Sequence, residues 1–106
     1  MFCSVRTYRT DPGAMDELMH RIDDEFCELL EREPGFVGYQ ALDCGDGVCV
    51  TITTFRDRQG AEGSVTTAAG WVRDRLSDID IERMDAFNGE AKVSRAIAEM
   101  LEPAHA

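Results

Sequence analysis

Basic residues are scarce in this chain: 11 Lys and Arg stand against 21 Asp and Glu, giving a formal net charge of −10 and a pI of about 4.5. Phosphate backbones are bound by clustered cations, so neither nucleic acid nor an anionic membrane surface is an expected partner. The charge reads instead as a solubility device. No stretch approaches the roughly 18 apolar residues that a membrane-spanning helix needs. The start, Met1-Phe2-Cys3-Ser4-Val5-Arg6, lacks the basic region and apolar run of a signal peptide. The expectation is therefore a cytoplasmic protein whose cysteines, Cys3, Cys27, Cys44 and Cys49, stay reduced. Cys44 and Cys49 do not have zinc-site spacing, and no His or second Cys pair stands near them in sequence. A P-loop, a Gly-rich dinucleotide motif and a nucleophile elbow are also missing. No metal and no cofactor are expected, and no catalytic residue is named by a motif.

What is present suits one globular domain. The 106 residues are 43% hydrophobic and 30% charged, the size and composition of a single unit, with a tail from about 97 to 106. Residues 2–9 are rich in β-branched and aromatic types and stop at Asp11-Pro12-Gly13, which predicts a strand, a break and an N-capped helix start. Met15, Leu18, Met19, Ile22, Phe26, Leu29 and Leu30 recur at spacings of three and four and predict an amphipathic helix, which Glu33-Pro34-Gly35 ends. Residues 36–43 and 48–55 flank Cys44-Gly45-Asp46-Gly47, a hairpin signal. A second helix is expected from an N-cap at Ser64, with Val65, Ala68, Ala69, Val72, Leu76 and Ile79 as its stripe and Trp71 to one side. A last strand follows within about 82–96, with a bulge expected near Gly89, then a helical turn from Ile97.

If Asp46 and Gly47 form a two-residue turn, Cys44 faces Cys49, Leu42 faces Thr51 and Gln40 faces Thr53. One sheet face then carries Gln40, Thr51 and Thr53 among apolar groups, as a face lining a partly polar cavity would. The other carries Val37, Tyr39, Ala41, Val50, Ile52 and Thr54 and is assigned to packing against the helices. Cys44 and Cys49 would be opposed across the hairpin, as free thiols in a reducing compartment. The element order β-α-β-β-α-β is the α+β ferredoxin-like plan with an antiparallel sheet. Both helices cover one face of that sheet and leave the other bare, a liability in water. Closure against a second copy, a homodimer, is the expected remedy.

Several stretches strengthen this reading. Glu33-Pro34-Gly35-Phe36-Val37-Gly38-Tyr39, Val50-Thr51-Ile52-Thr53-Thr54-Phe55 before Arg56, Ser64 through Trp71-Val72, and Gly89-Glu90-Ala91-Lys92-Val93 resemble the antibiotic-biosynthesis-monooxygenase family of dimeric α/β barrels. The likeness runs over roughly residues 2 to 95. It implies a homodimeric barrel with a pocket between sheet and helices in each subunit. Some relatives are cofactor-independent monooxygenases of quinols or anthrones, and others degrade heme. The heme-degrading branch looks for an Asn on the first strand and a Trp and a His on the second helix. Those places hold Arg6, Ser64 and Asp74, so heme degradation of that kind is not expected.

The candidate pocket residues are Arg6, Tyr8, Gln40, Thr51, Thr53 and Trp71. Arg6 lies mid-strand on the same side as Phe2, Ser4 and Tyr8. It either binds an anionic or phenolate oxygen or reaches out to a surface carboxylate. The others either wall a small aromatic ligand or serve cross-strand and interface packing. His20 lies on the polar side of the first helix and reads as a surface residue, and His105 falls in the tail. The resulting expectation is a cofactor-independent monooxygenase of a small aromatic or quinol-like compound. The alternatives are a non-enzymatic homodimeric module, either ligand-binding or stress-associated, and a noncanonical heme binder.

Overall fold

Alternating β-branched and aromatic residues build strands at Phe2–Thr10 (β1), Phe36–Asp43 (β2) and Val48–Phe55 (β3), and Ile81–Glu90 forms β4. The computed structural model describes residues 1–96, so the helical turn and tail expected from Ile97 to Ala106 lie outside the described residues. The strands make one antiparallel sheet in the order β2-β3-β1-β4, and two helices cover one of its faces. This is the expected α+β ferredoxin-like architecture.

Asp11 caps the first helix by accepting the Gly13 N–H at 2.9 Å, and Pro12 opens a 3-10 turn, Pro12–Ala14. The helix continues through Met15–Arg21, a π-helical turn Ile22–Phe26 and a last segment Cys27–Glu31. Its buried residues explain that turn. Leu18, Ile22, Phe26 and Leu30 recur every four positions, which in a regular α-helix drifts by about 40° per step. A wider π turn, in which the Cys27 N–H reaches back to the Ile22 carbonyl, takes up the drift and keeps the row on the sheet. Leu29, expected on the stripe, is exposed as a result.

The second helix spans Arg58–Arg75 and is capped by Asp57, which accepts the Gly60 N–H at 2.8 Å, rather than starting at Ser64. Ser64 is buried inside it and donates to the Ala61 carbonyl. Ala61, Ser64, Ala68 and Trp71 form its buried row, so Trp71 belongs to the core and not to the flank. The two helices are tied at one end by Arg21, which donates to both carboxylate oxygens of Asp78 at 2.7 Å and to the Arg75 carbonyl. These bonds hold the Asp78 carboxyl down at about 2.

The hairpin corrects the expected register by one residue. Tyr39, not Gln40, faces Thr53, and Asp43, not Cys44, faces Cys49. The reversal is a three-residue loop, Gly45-Asp46-Gly47, in which every φ is positive, closed by hydrogen bonds between Cys44 and Val48 and between Val48 and Gly45. A slip of one residue turns a strand over. Cys49, Thr51, Thr53 and Phe55 therefore lie under the helices, joined by Tyr39 and Ala41 from β2. Val50, Ile52 and Thr54, expected under the helices, lie on the bare face with Gln40. A further irregularity at Val37 returns Phe36 to the helix side, where its ring meets Phe55 edge-on at 5.8 Å.

Gly47 is also pinned by its neighbours. It accepts the Thr10 N–H at 2.8 Å, and a Cβ on it would stand 2.1 Å from the Thr10 carbonyl oxygen. Gly45 has open space around the same position. Gly47→Ala should therefore cost about 3 kcal/mol in urea unfolding, whereas Gly45→Ala should cost only the φ strain, about 1 kcal/mol.

Candidate ligand pocket

Alternation along β1 places Ser4, Arg6, Tyr8 and Thr10 on the helix side. Arg6 pairs with Thr51 on β3 and with Ala86 on β4, two small neighbours that leave its long side chain room beneath the helices. It is only 5% exposed, and its Nη2 has no hydrogen-bond partner among the described residues. A guanidinium cannot shed its proton to escape burial, and an unpaired buried charge costs several kcal/mol. Arg6 therefore does not reach out to a surface carboxylate, the second of the two roles its sequence position allows.

Arg6 stands where two spaces meet. The inner one is a slot of about 30 Å³, walled by Tyr8, Phe26, Tyr39, Cys49, Thr51 and Trp71 together with aliphatic side chains of the two helices. Phe26 anchors that wall, edge-on to Tyr39 at 5.6 Å and tilted against Trp71 at 5.1 Å. The outer space is a recess of about 450 Å³ between the second helix and the β1–β4 edge, also bounded by Arg6, Tyr8, Ala68, Val72 and Ile81. The slot has room for about one water, while the recess falls within the range of small-molecule sites.

Four of the six expected pocket residues, Arg6, Tyr8, Thr51 and Trp71, come together at the slot. Thr53 is buried on the same sheet face but outside the pocket lining. Gln40 is on the opposite face, because the register turns it away. Tyr39 takes the place assigned to Gln40, and burial raises its hydroxyl well above the ordinary tyrosine range. Cys27 and Cys49 are both pushed up to about 11, chiefly by burial, so neither offers a thiolate near neutral pH. The Trp71 indole N–H is buried without a hydrogen-bond partner among the described residues. Glu25 comes near it but is held below its ordinary range mainly by the hydrogen bond from Arg75.

His20 sits on the surface, 3.0 Å from Asp24, and does not reach the slot. Among the described residues no group of three or more His, Cys, Asp or Glu is placed to hold a metal ion. No helix among them is long and apolar enough to cross a membrane.

No protein-family model matches the chain, and no curated protein does. Solved structures do match. MhuD of Mycobacterium tuberculosis, a heme-degrader solved with two hemes, superposes with a TM-score of 0.70 at 17% identity, over 91% of this chain and 100% of that one. A dimeric ferredoxin-like protein from an uncultured marine organism gives 0.69 at 8% identity, over 91% and 98%. ActVA-Orf6 of Streptomyces coelicolor, a monooxygenase solved with nanaomycin D, gives 0.63 at 18% identity, over 90% and 92%. The fold is shared. It is the fold that the resemblance to the antibiotic-biosynthesis monooxygenases implied.

Among the described residues no His lines the slot, and burial raises its Tyr39 hydroxyl and Cys49 thiol above their ordinary ranges. Of the two positions that differ on the second helix, Ser64 is occupied with the Ala61 carbonyl, and Asp74 is exposed beside Arg73.

Proposed function

We propose that the chain is a cofactor-independent monooxygenase of a small electron-rich aromatic, bound in the recess with a phenolic oxygen turned inward to Arg6. The observation that carries this reading is the buried Arg6, whose Nη2 has no partner among the described residues, at the junction of an aromatic-walled slot and a ligand-sized recess. Preorganised donors in a water-poor site stabilise developing negative charge strongly. Arg6 would hold the substrate as its phenolate or enolate, the form that gives electrons to oxygen. For an anthrone the balance is one ring CH₂ plus O₂ giving one C=O plus water, with the substrate itself as reductant. Tyr8 would flank the ring in the recess, and Tyr39 and Trp71 would wall the slot toward which its oxygen points. The protein would act in the cytoplasm as a homodimer closed across its bare sheet face.

Oxygen uptake with a panel of quinols and anthrones is the test. The expected result is protein-dependent consumption that saturates with substrate, and none across the panel would overturn the reading. The small inner slot favours one alternative, a non-enzymatic module whose cavity is largely filled by its own side chains. That alternative predicts no oxygen uptake and no ligand seated in the slot.

A further inference from the structure

The proposed reaction accounts for Arg6 but not for the rest of the recess wall. Among the described residues nine line the recess; three are arginines, Arg6, Arg73 and Arg83, and none is acidic. In a chain with 21 acidic and 11 basic residues this is a local inversion of charge, and clefts lined by one sign concentrate ligands of the other. Arg73 has its Nε on the neighbouring Asp74 at 3.1 Å. Arg83 makes no ion pair among the described residues.

Arg83 reaches this wall through a backbone irregularity. Thr7 pairs with Asp85, but Tyr8 pairs with Arg83, so Met84 is an extra residue in β4. In unbroken register Met84 would oppose Tyr8, and Glu82 would oppose Thr10. Because alternate residues of a strand share a face, a methionine and a carboxylate would then turn toward the helices. The bulge puts Arg83 and Ile81 there instead. Bulges next to binding sites commonly re-aim a side chain in this way.

We infer that the recess recognises an aromatic acid, with the ligand's phenolic oxygen at Arg6 and a carboxylate at its far end held by Arg83 with help from Arg73. This rests on the proposed placement of a phenol at Arg6 and adds the substrate class. Guanidinium forks pair with carboxylates in a bidentate manner, and the aliphatic walls between the two ends, Val65, Ala68 and Val72, suit the ring.

The test is calorimetric titration of the intact protein with para-coumarate and with para-vinylphenol, which differ only by the carboxylate. The wild type should bind the acid at least about tenfold more tightly. Arg83→Gln should remove most of that preference and leave the affinity for para-vinylphenol within about twofold, and Arg73→Gln should remove a smaller part. Both arginines are exposed, so circular dichroism should show both variants folded. Equal affinities in the wild type, or a preference unchanged in the double variant, would overturn the inference and leave the phenol site standing. If neither compound binds, the phenol site falls and this inference with it. Arg6→Gln should weaken both compounds alike and keep the acid preference; an affinity for para-vinylphenol unchanged in Arg6→Gln would remove Arg6 from the phenol site and overturn the inference that rests on it.

Discussion

Arg6→Met is expected to make the protein more stable and to abolish its activity. The two effects have one cause. In the free protein Arg6 is 5% exposed, and its Nη2 is bonded to no described residue. Methionine keeps much of the length and removes the charge. Replacing buried charged groups by apolar ones of similar volume commonly stabilises a fold, and here a gain of about 1–2 kcal/mol, or roughly 5–10 °C in melting temperature, is expected. Turnover should fall by about 10²–10³-fold, as when an oxyanion donor is removed. Arg6→Lys should recover little of it, since an ammonium lacks the planar fork. A structural guanidinium would give the opposite pair of results, with a lower melting temperature for Arg6→Met and oxygen uptake retained. Stability and activity moving in opposite directions is the mark of a strained functional residue.

Much of this arrangement is legible in the residues. Asp11-Pro12 announces the first helix, and the apolar row from Met15 to Leu30 sets its buried face. Strict alternation along β1 is enough to put Arg6 on one side with Ser4 and Tyr8. Three features are not legible, each because one residue of backbone conformation decides a whole strand. A two-residue Asp-Gly turn and the actual three-residue Gly45-Asp46-Gly47 loop fit the same letters, yet they place Gln40 or Tyr39 at the cavity. The usual association of glycine with bulges points to Gly89 for the irregularity in β4. It falls instead at Met84, where no residue type marks it, and Gly89 pairs regularly with Cys3. The helix-facing side of the sheet looks the less suitable by composition, because Thr51 and Thr53 alternate with aliphatic Val50 and Ile52. The threonines are buried because the aliphatic row serves the other, uncovered face.

That uncovered row leads to the second large effect: Ile52→Glu is expected to convert a dimer into a folded monomer. Ile52 lies on an interior strand, with Val5 of β1 on one side and Gln40 of β2 on the other. Beyond Val5 comes Phe87 of β4, 64% exposed, and near the far edge Leu42 is 41% exposed. Exposed apolar residues gathered on one face of a highly charged protein are the usual mark of an association site. A two-fold interface presents each substitution twice, so Ile52→Glu would bring two carboxylates into an apolar contact between chains that already carry −10 each. The dissociation constant should rise at least about a hundredfold, equivalent to about 2.8 kcal/mol. Sedimentation should then show the mass falling from twice 11.8 kDa to 11.8 kDa. Gln40→Glu, at an already polar and exposed position on the same face, should do much less. A wild type that sediments as a monomer, or an Ile52→Glu protein that stays dimeric, would remove the bare face as the interface. The slot and the recess are built from residues of one protomer on the other side of the sheet. The folded monomer should therefore still bind para-vinylphenol, which separates assembly from the site.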